Sequence, residues 1–398
     1  MVFQSKSKNN CCFEGVQIIG KNGFWDLRTE KDKIFSIKQS SKKEGGLISP
    51  RFADIHVHLD KTGTSKRINR KANSLFDAIG LMNEDKKNWS EVDIYDRANS
   101  AIKNAWFSGT GFIRTHIDWE TKHVPLAWSV LNKLKLEWKD RLEIQLVSLT
   151  PLDLLYNEIE TISKFIRDDN AILGAFIYRN EDLEKKINRV VKIASDLSLD
   201  LDFHVDEGLE KEAKGIDFIV NSAIKYKMTG KVLCGHGCSL SVRPNLEVSK
   251  VLNQLAQNKI GLVCLPTTNL WLQDNVIGKT PRLRGLAPIT EARNFGVNVM
   301  IASDNCQDPF YPFGDYNLLS VYKTAVLGAH LDESEWFDSI TSKPANWMGF
   351  KNDIFEGGEA SFLWFKTDKL NSLIAESYIE FELWNKGKFI YNSFKKSK

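Results

Sequence analysis

The chain has 398 residues, of which 42% are hydrophobic and 26% charged, as is ordinary for a globular protein. Its net charge of +3 is too small to indicate nucleic acid or an anionic membrane as a partner. No apolar run is long enough to span a bilayer, and the N-terminus has no apolar signal core. We therefore expect a cytoplasmic protein without membrane contact.

Both ends of the chain carry strand-like runs separated by polar turns. These runs are residues 16–19, 34–37, 360–365, 378–383 and 389–391. Residues 45–50 resemble a hinge that leads into the central part of the chain. We predict that residues 1–50 and 349–398 form one small composite β domain.

Between these ends, strand-like and helical patterns alternate. The strand-like runs are 52–58, 111–118, 142–149, 172–178, 199–204, 231–236, 260–265 and 297–304. Residues 181–197 are one of the intervening stretches with apolar residues at helical spacing. Eight β-then-α units predict a (β/α)8 TIM barrel over residues 51–348. A doubly wound open sheet is the alternative, but no Gly-rich phosphate turn follows the first strand.

Most of the histidines fall at the ends of predicted strands, which is the edge where a barrel places its chemistry. His56 and His58 lie two residues apart on one strand and therefore point to the same side. The other polar residues at strand ends are His116, His204, His236 and Asp304. His123 and His330 lie outside this pattern, and we expect them to be structural.

This set predicts a metal site. His56, His58, His204 and Asp304 can offer three imidazoles and one carboxylate to a divalent ion, which would lower the pKa of a bound water and supply hydroxide. Glu207 follows His204 closely enough to act as a general acid/base. His236 can orient the nucleophile or polarise the substrate, and Asp304 can also accept the water's proton.

Several motifs resemble the cytosine deaminase-like family of the amidohydrolase superfamily. They span residues 56–62, 114–118, 204–207, 235–237 and 303–314. The resemblance implies a (β/α)8 barrel with one catalytic divalent metal, zinc or iron. By position it assigns the metal ligands to His56, His58, His204 and Asp304, the proton shuttle to Glu207 and nucleophile activation to His236.

Three departures limit what the resemblance implies. The fourth strand carries no lysine, which favours a mononuclear site over the lysine-bridged binuclear type. The stretch 148–153 lacks the glutamine with which cytosine deaminases read the pyrimidine, and Asn305 replaces their second aspartate. The reaction class is thus better supported than the substrate. The candidate substrate contacts are Thr150, Asn269, Trp271, Asn305, Asp308 and Phe310. Asp60 and Lys61 form either a structural ion pair or part of the substrate site.

We therefore expect a metal-dependent hydrolytic deaminase that releases ammonia from a cytosine-like pyrimidine or related amino-heterocycle. One alternative is hydrolysis of an N-alkylamino-triazine or amide C–N bond on the same site. A second is a non-catalytic relative that acts in binding or assembly, which the intact ligand set disfavours. The expected partner is a small-molecule substrate, and assembly into a homo-oligomer is left open.

Overall fold

A computed structural model describes residues 10–367 and 369–393. They form two compact units. The first comprises the described residues up to Ala53, Trp106–Phe112 and the described residues from Asp332 onward; the second comprises Asp54–Ala105 and Ile113–Leu331. The domain boundaries at residues 50 and 349 stay a prediction, and the parts of the predicted β domain at 1–9, 368 and 394–398 lie outside the described residues.

Strands and helices alternate through the middle of the described chain. The strands are β1 (Asn10–Ile18), β2 (Lys21–Glu30), β3 (Lys33–Gln39), β4 (Leu47–Pro50), β5 (Phe52–Val57), β6 (Thr110–Asp118), β7 (Glu143–Pro151), β8 (Leu173–Ile177), β9 (Leu201–Val205), β10 (Val232–His236), β11 (Gly261–Cys264), β12 (Val299–Ile301), β13 (Phe362–Phe365), β14 (Phe381–Asn385) and β15 (Lys388–Asn392). The α-helices are α1 (Leu75–Asp85), α2 (Glu91–Phe107), α3 (Leu126–Trp138), α4 (Leu152–Asp168), α5 (Leu183–Asp196), α6 (Gly215–Lys225), α7 (Asn245–Gln257), α8 (Pro266–Leu272), α9 (Ile289–Asn294), α10 (Leu318–Ala329), α11 (Ser342–Trp347) and α12 (Leu370–Ala375). Short 3-10 turns occupy Thr64–Arg67, Lys86–Asn88, Cys238–Val242 and Phe337–Ile340.

The first unit contains a seven-stranded sheet in the order β15-β14-β13-β4-β1-β2-β3. Strand β13 pairs antiparallel with both β4 and β14, so the two ends of the chain share one sheet, as predicted. Residues 47–50 were expected to belong to a hinge but form β4, because they pair with β1 on one side and β13 on the other. Strand β14 begins at Phe381 rather than at residue 378, since its register with β13 starts where Phe381 pairs with Phe365.

One apolar cluster holds this sheet together. Its fully buried members include Leu27, Ile48 and Phe362. Phe13 packs edge-on against Phe362, with ring centroids 5.3 Å apart. Burial of such side chains contributes about 1.5–3 kcal/mol each, so the strands from the two chain ends stabilise one another.

The second unit contains the barrel. Strands β5 to β12 follow one another around a parallel sheet in chain order, and the helices separate them in sequence. The predicted (β/α)8 fold is therefore confirmed. Helix α5 matches the predicted helix at 181–197, and its buried residues Ile187, Val190, Val191 and Ala194 form the expected apolar stripe.

The barrel closes where the chain leaves β12. A parallel bridge joins Val57 to Asp304, and the backbone N–H of Asp304 donates a hydrogen bond of 2.8 Å to the carbonyl of His56. Nearby, the N–H of Ser303 donates to Asp54 Oδ1 at 2.9 Å. The ends of the first and last barrel strands are therefore fixed side by side.

Helix α1 follows β5 and packs through an apolar face. Leu75, Ala78 and Met82 belong to a cluster that also contains Leu272 and Phe310. Ser74 caps the helix by accepting a hydrogen bond from the N–H of Asp77, which satisfies one free N–H of the first turn. Among the residues that the structure describes, none of the helices is long and apolar enough to cross a membrane.

Candidate active site

Four side chains converge at the C-terminal edge of the barrel strands. His204 Nε2 lies 2.9 Å from His56 Nε2 and 3.2 Å from His58 Nε2. Asp304 Oδ1 lies 3.1 Å from His58 Nε2 and 3.6 Å from His56 Nε2. One ligand atom from each of the four lies within 4.8 Å of all the others, and all four residues are buried. The predicted ligand set is thus brought together in space.

The local fold explains why these residues meet. His56 and His58 lie on the same side at the end of β5, and His204 is the fourth residue of β9. Gly235 on β10 leaves space for one of them, because a Cβ built there would lie 2.9 Å from His56 Cε1 and 3.2 Å from His56 Nδ1. A side chain at position 235 would therefore displace His56.

Burial keeps the imidazoles in the form that binds metals. It lowers the pKa of His58 to about 4, with the charge of Lys61 adding to the effect. Burial and the neighbouring histidines hold the pKa of His56 and His204 well below the usual range. Burial opposes ionisation of Asp304, but the hydrogen bond with His58 and the charge of His236 outweigh it, so its pKa is lowered. Three neutral imidazoles and one carboxylate are the expected state.

The chemistry of this donor set fits a divalent metal. The carboxylate of Asp304 is completely buried beside the imidazoles of His58 and His56, and a buried carboxylate costs free energy unless a cation compensates its charge. Neutral imidazole and carboxylate are ligands of zinc and of iron. The residues present are therefore suited to hold the metal that the sequence predicted.

Glu207 and His236 lie beside the four ligands. Glu207 Oε2 is 3.7 Å from His236 Nε2, and both side chains are almost completely buried. Burial raises the pKa of Glu207, which makes it a better proton acceptor than an exposed carboxylate. Asn269 Nδ2 lies 3.0 Å from His236 Nδ1, a contact that leaves the Nε2 edge of this ring directed at Glu207.

Three residues at these strand ends have backbone angles that L-residues rarely adopt. The φ angles are 51° at Asp206, 72° at His236 and 62° at Asp304. Each such residue costs about 1–3 kcal/mol, and strain of this kind is concentrated at functional sites. The three residues lie at the edge of the barrel that carries Glu207 and the candidate ligands, although other residues with positive φ occur elsewhere in the described chain.

A pocket with a cavity volume of about 100 Å³ opens onto this edge. It is lined by His58, Lys61, Leu75, Ile79, Met82, Asn83, Lys86, Asp118, Glu120, Leu149, Pro151, Phe176, His204, Glu207, His236, Asn305 and Phe310. Its lining combines apolar side chains with charged and polar ones.

The predicted substrate contacts divide into two groups. Asn305 and Phe310 line the pocket, whereas Thr150, Asn269, Trp271 and Asp308 are outside its lining. Thr150 lies between Leu149 and Pro151, which face the pocket, so strand alternation directs it to the other side.

The remaining three of those residues have structural contacts. Asn269 contacts His236. The Trp271 ring packs against Phe313 at 5.3 Å. Asp308 accepts hydrogen bonds from Asn305 Nδ2 and from the backbone N–H groups of Phe310 and Tyr311. As substrate contacts, these three residues stay a prediction.

The helix α1 face of the pocket was not predicted as part of the site. Leu75, Ile79 and Met82 line it at positions i, i+4 and i+7. This apolar stripe was visible in the sequence, but a stripe of this kind indicates only a helix that packs on something. The lining also contains Phe176, which packs against the same apolar cluster and whose ring lies parallel to that of Tyr178 with centroids 6.0 Å apart.

Lys61 is both ion-paired and part of the pocket lining. Its Nζ lies 2.7 Å from Asp118 Oδ1 and 5.1 Å from the centre of the Phe310 ring. Asp60 Oδ2 accepts a hydrogen bond of 3.0 Å from the N–H of Asp118. The ion pair of Lys61 is therefore with Asp118, whereas Asp60 Oδ1 accepts a hydrogen bond of 2.9 Å from the backbone N–H of Lys61. Lys61 also lines the pocket, so a structural ion pair and a position at the substrate site are compatible.

A second buried cluster contains His116. The His116 ring lies 4.0 Å from the His56 ring, at an angle of 31°. His116 Nε2 is 3.2 Å from Asp202 Oδ1, and Arg114 Nη1 is 2.9 Å from Asp202 Oδ2. The motif at residues 114–118 thus supplies a buried layer against which the ligand His56 rests.

Comparisons with known proteins agree with this architecture. The profile of the Amidohydrolase family matches residues 151–371. A pterin deaminase from Rhizobium rhizogenes (strain K84) is 31% identical over 357 residues, covering 87% of this chain and 81% of that protein. An N-isopropylammelide isopropyl amidohydrolase from Pseudomonas sp. (strain ADP) is 22% identical over 365 residues, covering 86% of this chain and 87% of that protein.

A solved structure is similar over almost the whole chain. The 5-methylcytosine deaminase from Klebsiella pneumoniae, liganded with 5-fluorocytosine, has a TM-score of 0.86 at 21% identity and covers 96% of this chain and 97% of its own. At this identity the likeness establishes the fold. With the family profile and the 31% identical relative, it follows that the chain belongs to the amidohydrolase family. It is a hydrolase that acts on carbon–nitrogen bonds other than peptide bonds.

Proposed function

We propose that the chain is a hydrolytic deaminase that removes an exocyclic amine from a heterocycle, using one divalent zinc or iron ion held by His56, His58, His204 and Asp304. The observation that carries this proposal is the convergence of three neutral imidazoles and one carboxylate beside the buried Glu207. A divalent ion in that position lowers the pKa of water and makes a nucleophile available near neutral pH.

Glu207 performs the proton transfers in this mechanism. Its carboxylate accepts a proton as water adds to the carbon that bears the amine and passes it to the adjacent ring nitrogen; it then takes the proton of the added hydroxyl and donates it to the amine nitrogen. The C–N bond breaks, ammonia leaves, and the ring retains the oxygen as a carbonyl. The overall change consumes one water and releases one ammonia, so no further reactant is needed.

His236 and Asn269 orient the reacting groups. The contact between Asn269 Nδ2 and His236 Nδ1 makes Nδ1 the hydrogen-bond acceptor, so that Nε2 carries the proton. The protonated Nε2 edge faces the pocket beside Glu207 and can donate to the oxygen that adds to the ring. Because Asn269 is buried, this orientation is fixed before the substrate binds.

We propose pterin, a bicyclic 2-amino-4-oxo heterocycle, as the ring. The 31% identity to a pterin deaminase supports this choice. The pocket wall supports it too, because Leu149 and Pro151 occupy the end of β7, where cytosine deaminases carry a glutamine for the pyrimidine edge. Phe176 and Phe310 in the pocket lining offer flat contact surface, which suits a second fused ring.

The test is ammonia release from the metal-loaded protein with a panel of amino-heterocycles: pterin, cytosine, 5-methylcytosine, isocytosine, creatinine and an aminotriazine. The proposal expects pterin to give the highest kcat/KM. If the metal-loaded protein releases no ammonia from any compound of the panel, deamination is contradicted. The alternative, hydrolysis of an N-alkylamine or amide at the same site, is then favoured. The similarity to an isopropylammelide hydrolase makes N-isopropylammelide the next substrate to test in that case.

A further inference from the structure

The pocket lining contains a group of charged residues that the proposed reaction does not use. Four charged residues follow one another along its wall with alternating sign. Lys61 Nζ and Lys86 Nζ each lie 2.7 Å from an oxygen of Asp118, and Lys86 also contacts Glu120. We refer to Lys61, Asp118, Lys86 and Glu120 as the charged wall.

The charged wall leads from the interior to the surface. The exposed fraction of the side chain rises from 4% at Lys61 to 15% at Asp118 and Lys86 and to 45% at Glu120. All four residues line the same pocket as His58, His204 and Glu207. A ligand that reaches the candidate metal site therefore has this wall along its outer part.

The wall retains hydrogen-bonding capacity for a ligand. An ammonium group has three N–H donors, and the ion pairs of Lys86 use two of them. Each carboxylate offers about four lone-pair sites, more than its lysine contacts occupy. Asn83, exposed on helix α1 and also lining the pocket, adds an amide with donors and an acceptor.

The balance of charge selects the kind of group that fits. Two ammonium groups face two carboxylates, so the wall itself has no net charge for an anion or a cation to pair with. Closely spaced donors and acceptors instead match a hydroxyl group, which donates and accepts at once. A like charge placed beside either type of partner would be unfavourable.

From this arrangement, and resting on the proposed deaminase function, we propose that Lys86 and Glu120 bind a neutral hydroxyl-bearing substituent on the heterocycle, opposite the amine that is removed. The substrate class is then a hydroxyalkyl-substituted amino-heterocycle rather than a bare or carboxylated ring. Since Glu120 and Asn83 are exposed, the substituent can extend toward solvent.

The experiment compares kcat/KM for pterin, 6-(hydroxymethyl)pterin, 6-carboxypterin and cytosine, with the metal-loaded protein. The wild type is expected to prefer the hydroxymethyl compound over pterin by about tenfold, as a hydrogen bond to a charged group predicts. The carboxylated compound should show no such gain. In Lys86→Met, which retains most of the stem but lacks the donors, the preference should disappear.

Two further variants make the result specific. Glu120→Gln, at the exposed end of the wall, should also weaken the preference, and at 45% side-chain exposure the substitution should leave folding unchanged. Lys87→Met is the matched control, because Lys87 is the next residue, is 69% exposed and pairs with Glu84 outside the pocket lining. It should retain the wild-type preference.

The outcomes separate the two proposals. A wild type that treats pterin and its hydroxymethyl derivative alike, or a Lys86→Met variant that retains the preference, overturns the substituent site and leaves the deaminase intact. Activity on cytosine but on none of the pterins also overturns the substituent site and leaves the deaminase intact, because cytosine carries no hydroxyl-bearing substituent. Absence of ammonia from every compound with metal bound contradicts the deaminase itself, and the substituent site with it.

Discussion

The backbone N–H of Asp304 donates a hydrogen bond of 2.8 Å to the carbonyl of His56. The bond joins the end of the last barrel strand to the first, and it places two candidate metal ligands, from opposite ends of the barrel sequence, beside each other. Closure of the barrel therefore brings the fourth candidate ligand to the other three. A chain that did not close would have neither the fourth ligand nor the pocket.

His56→Ala should lose the metal. It removes one of four converging donors and leaves a buried carboxylate with less compensation, so we expect metal content after dialysis to fall from about one per chain to a small fraction. The measurement is elemental analysis of the dialysed protein. His123→Ala, at an exposed histidine, is the matched control and should keep its metal. Full metal occupancy in His56→Ala would refute the ligand assignment.

Asn269→Ala should lower kcat by about tenfold, the expected effect of losing one hydrogen bond that orients a catalytic ring. KM and metal content should change little, because Asn269 is outside the pocket lining and is not among the converging ligands. Steady-state kinetics and elemental analysis check both points. Asn275→Ala, whose amide donates to the Trp271 carbonyl, is a nearby control. An unchanged kcat in Asn269→Ala would rule out the positioning role.

Gly235→Ala should weaken metal binding without removing a ligand. The added Cβ would lie 2.9 Å from His56 Cε1, closer than side chains tolerate, so the imidazole must shift. Loss of support around a ligand typically lowers metal affinity by about 10–100-fold. Competition with a chromogenic chelator measures this. Gly80→Ala on helix α1, where a Cβ meets nothing within 4 Å, should bind metal normally. Equal affinity in the two variants would contradict the packing argument.

Asp308→Asn should alter how stability depends on pH. Burial raises the pKa of Asp308 to about 7, against the opposing hydrogen bond from Asn305 and the charge of Lys61. The unfolded chain has the ordinary carboxyl pKa of about 4, so between about pH 4 and 7 the folded state binds more protons. The wild-type free energy of unfolding should therefore fall across this window as pH rises.

Asp308→Asn lacks the titrating carboxyl group, so its free energy of unfolding should not show this fall. Relative to the wild type, the variant should therefore become more stable as pH rises from about 4 to 7. Urea unfolding of both proteins at several pH values measures it. Asp353→Asn, at an exposed carboxylate, is the control and should follow the wild type. Parallel curves for wild type and Asp308→Asn would contradict the assigned pKa.

The barrel and the candidate ligands were predictable because their signals are local. His56 and His58 carry their geometry in a two-residue spacing, and each barrel strand is a short apolar run. The outer sheet was harder to predict. Strand β2 has the polar sequence Lys21–Glu30, and only its inward residues, such as Leu27, are buried. Strand β4 forms because it pairs with β1 and β13. The pairing with β13 joins residues that are far apart in the sequence, so the local sequence does not predict it.

The substrate end of the site was less accessible to sequence reasoning. Lys86 lies in the 3-10 turn after helix α1, far along the chain from His204, and only the folded barrel places both at one pocket. Asn269 was predicted as a substrate contact, but its partner His236 became evident only from the distance between them. Residue types at strand ends predict chemistry, whereas the shape of the pocket depends on how loops and helices pack.

The most direct measurement of the central claim is ammonia release from pterin by the metal-loaded wild type beside Glu207→Gln. The substitution leaves the four ligands in place and removes the group that moves the proton. We expect the wild type to release one ammonia per ring, and the variant to hold an equal amount of metal with kcat lower by about 10²–10⁴-fold. Equal rates in the two proteins, or no ammonia from the metal-loaded wild type, would contradict the proposed function.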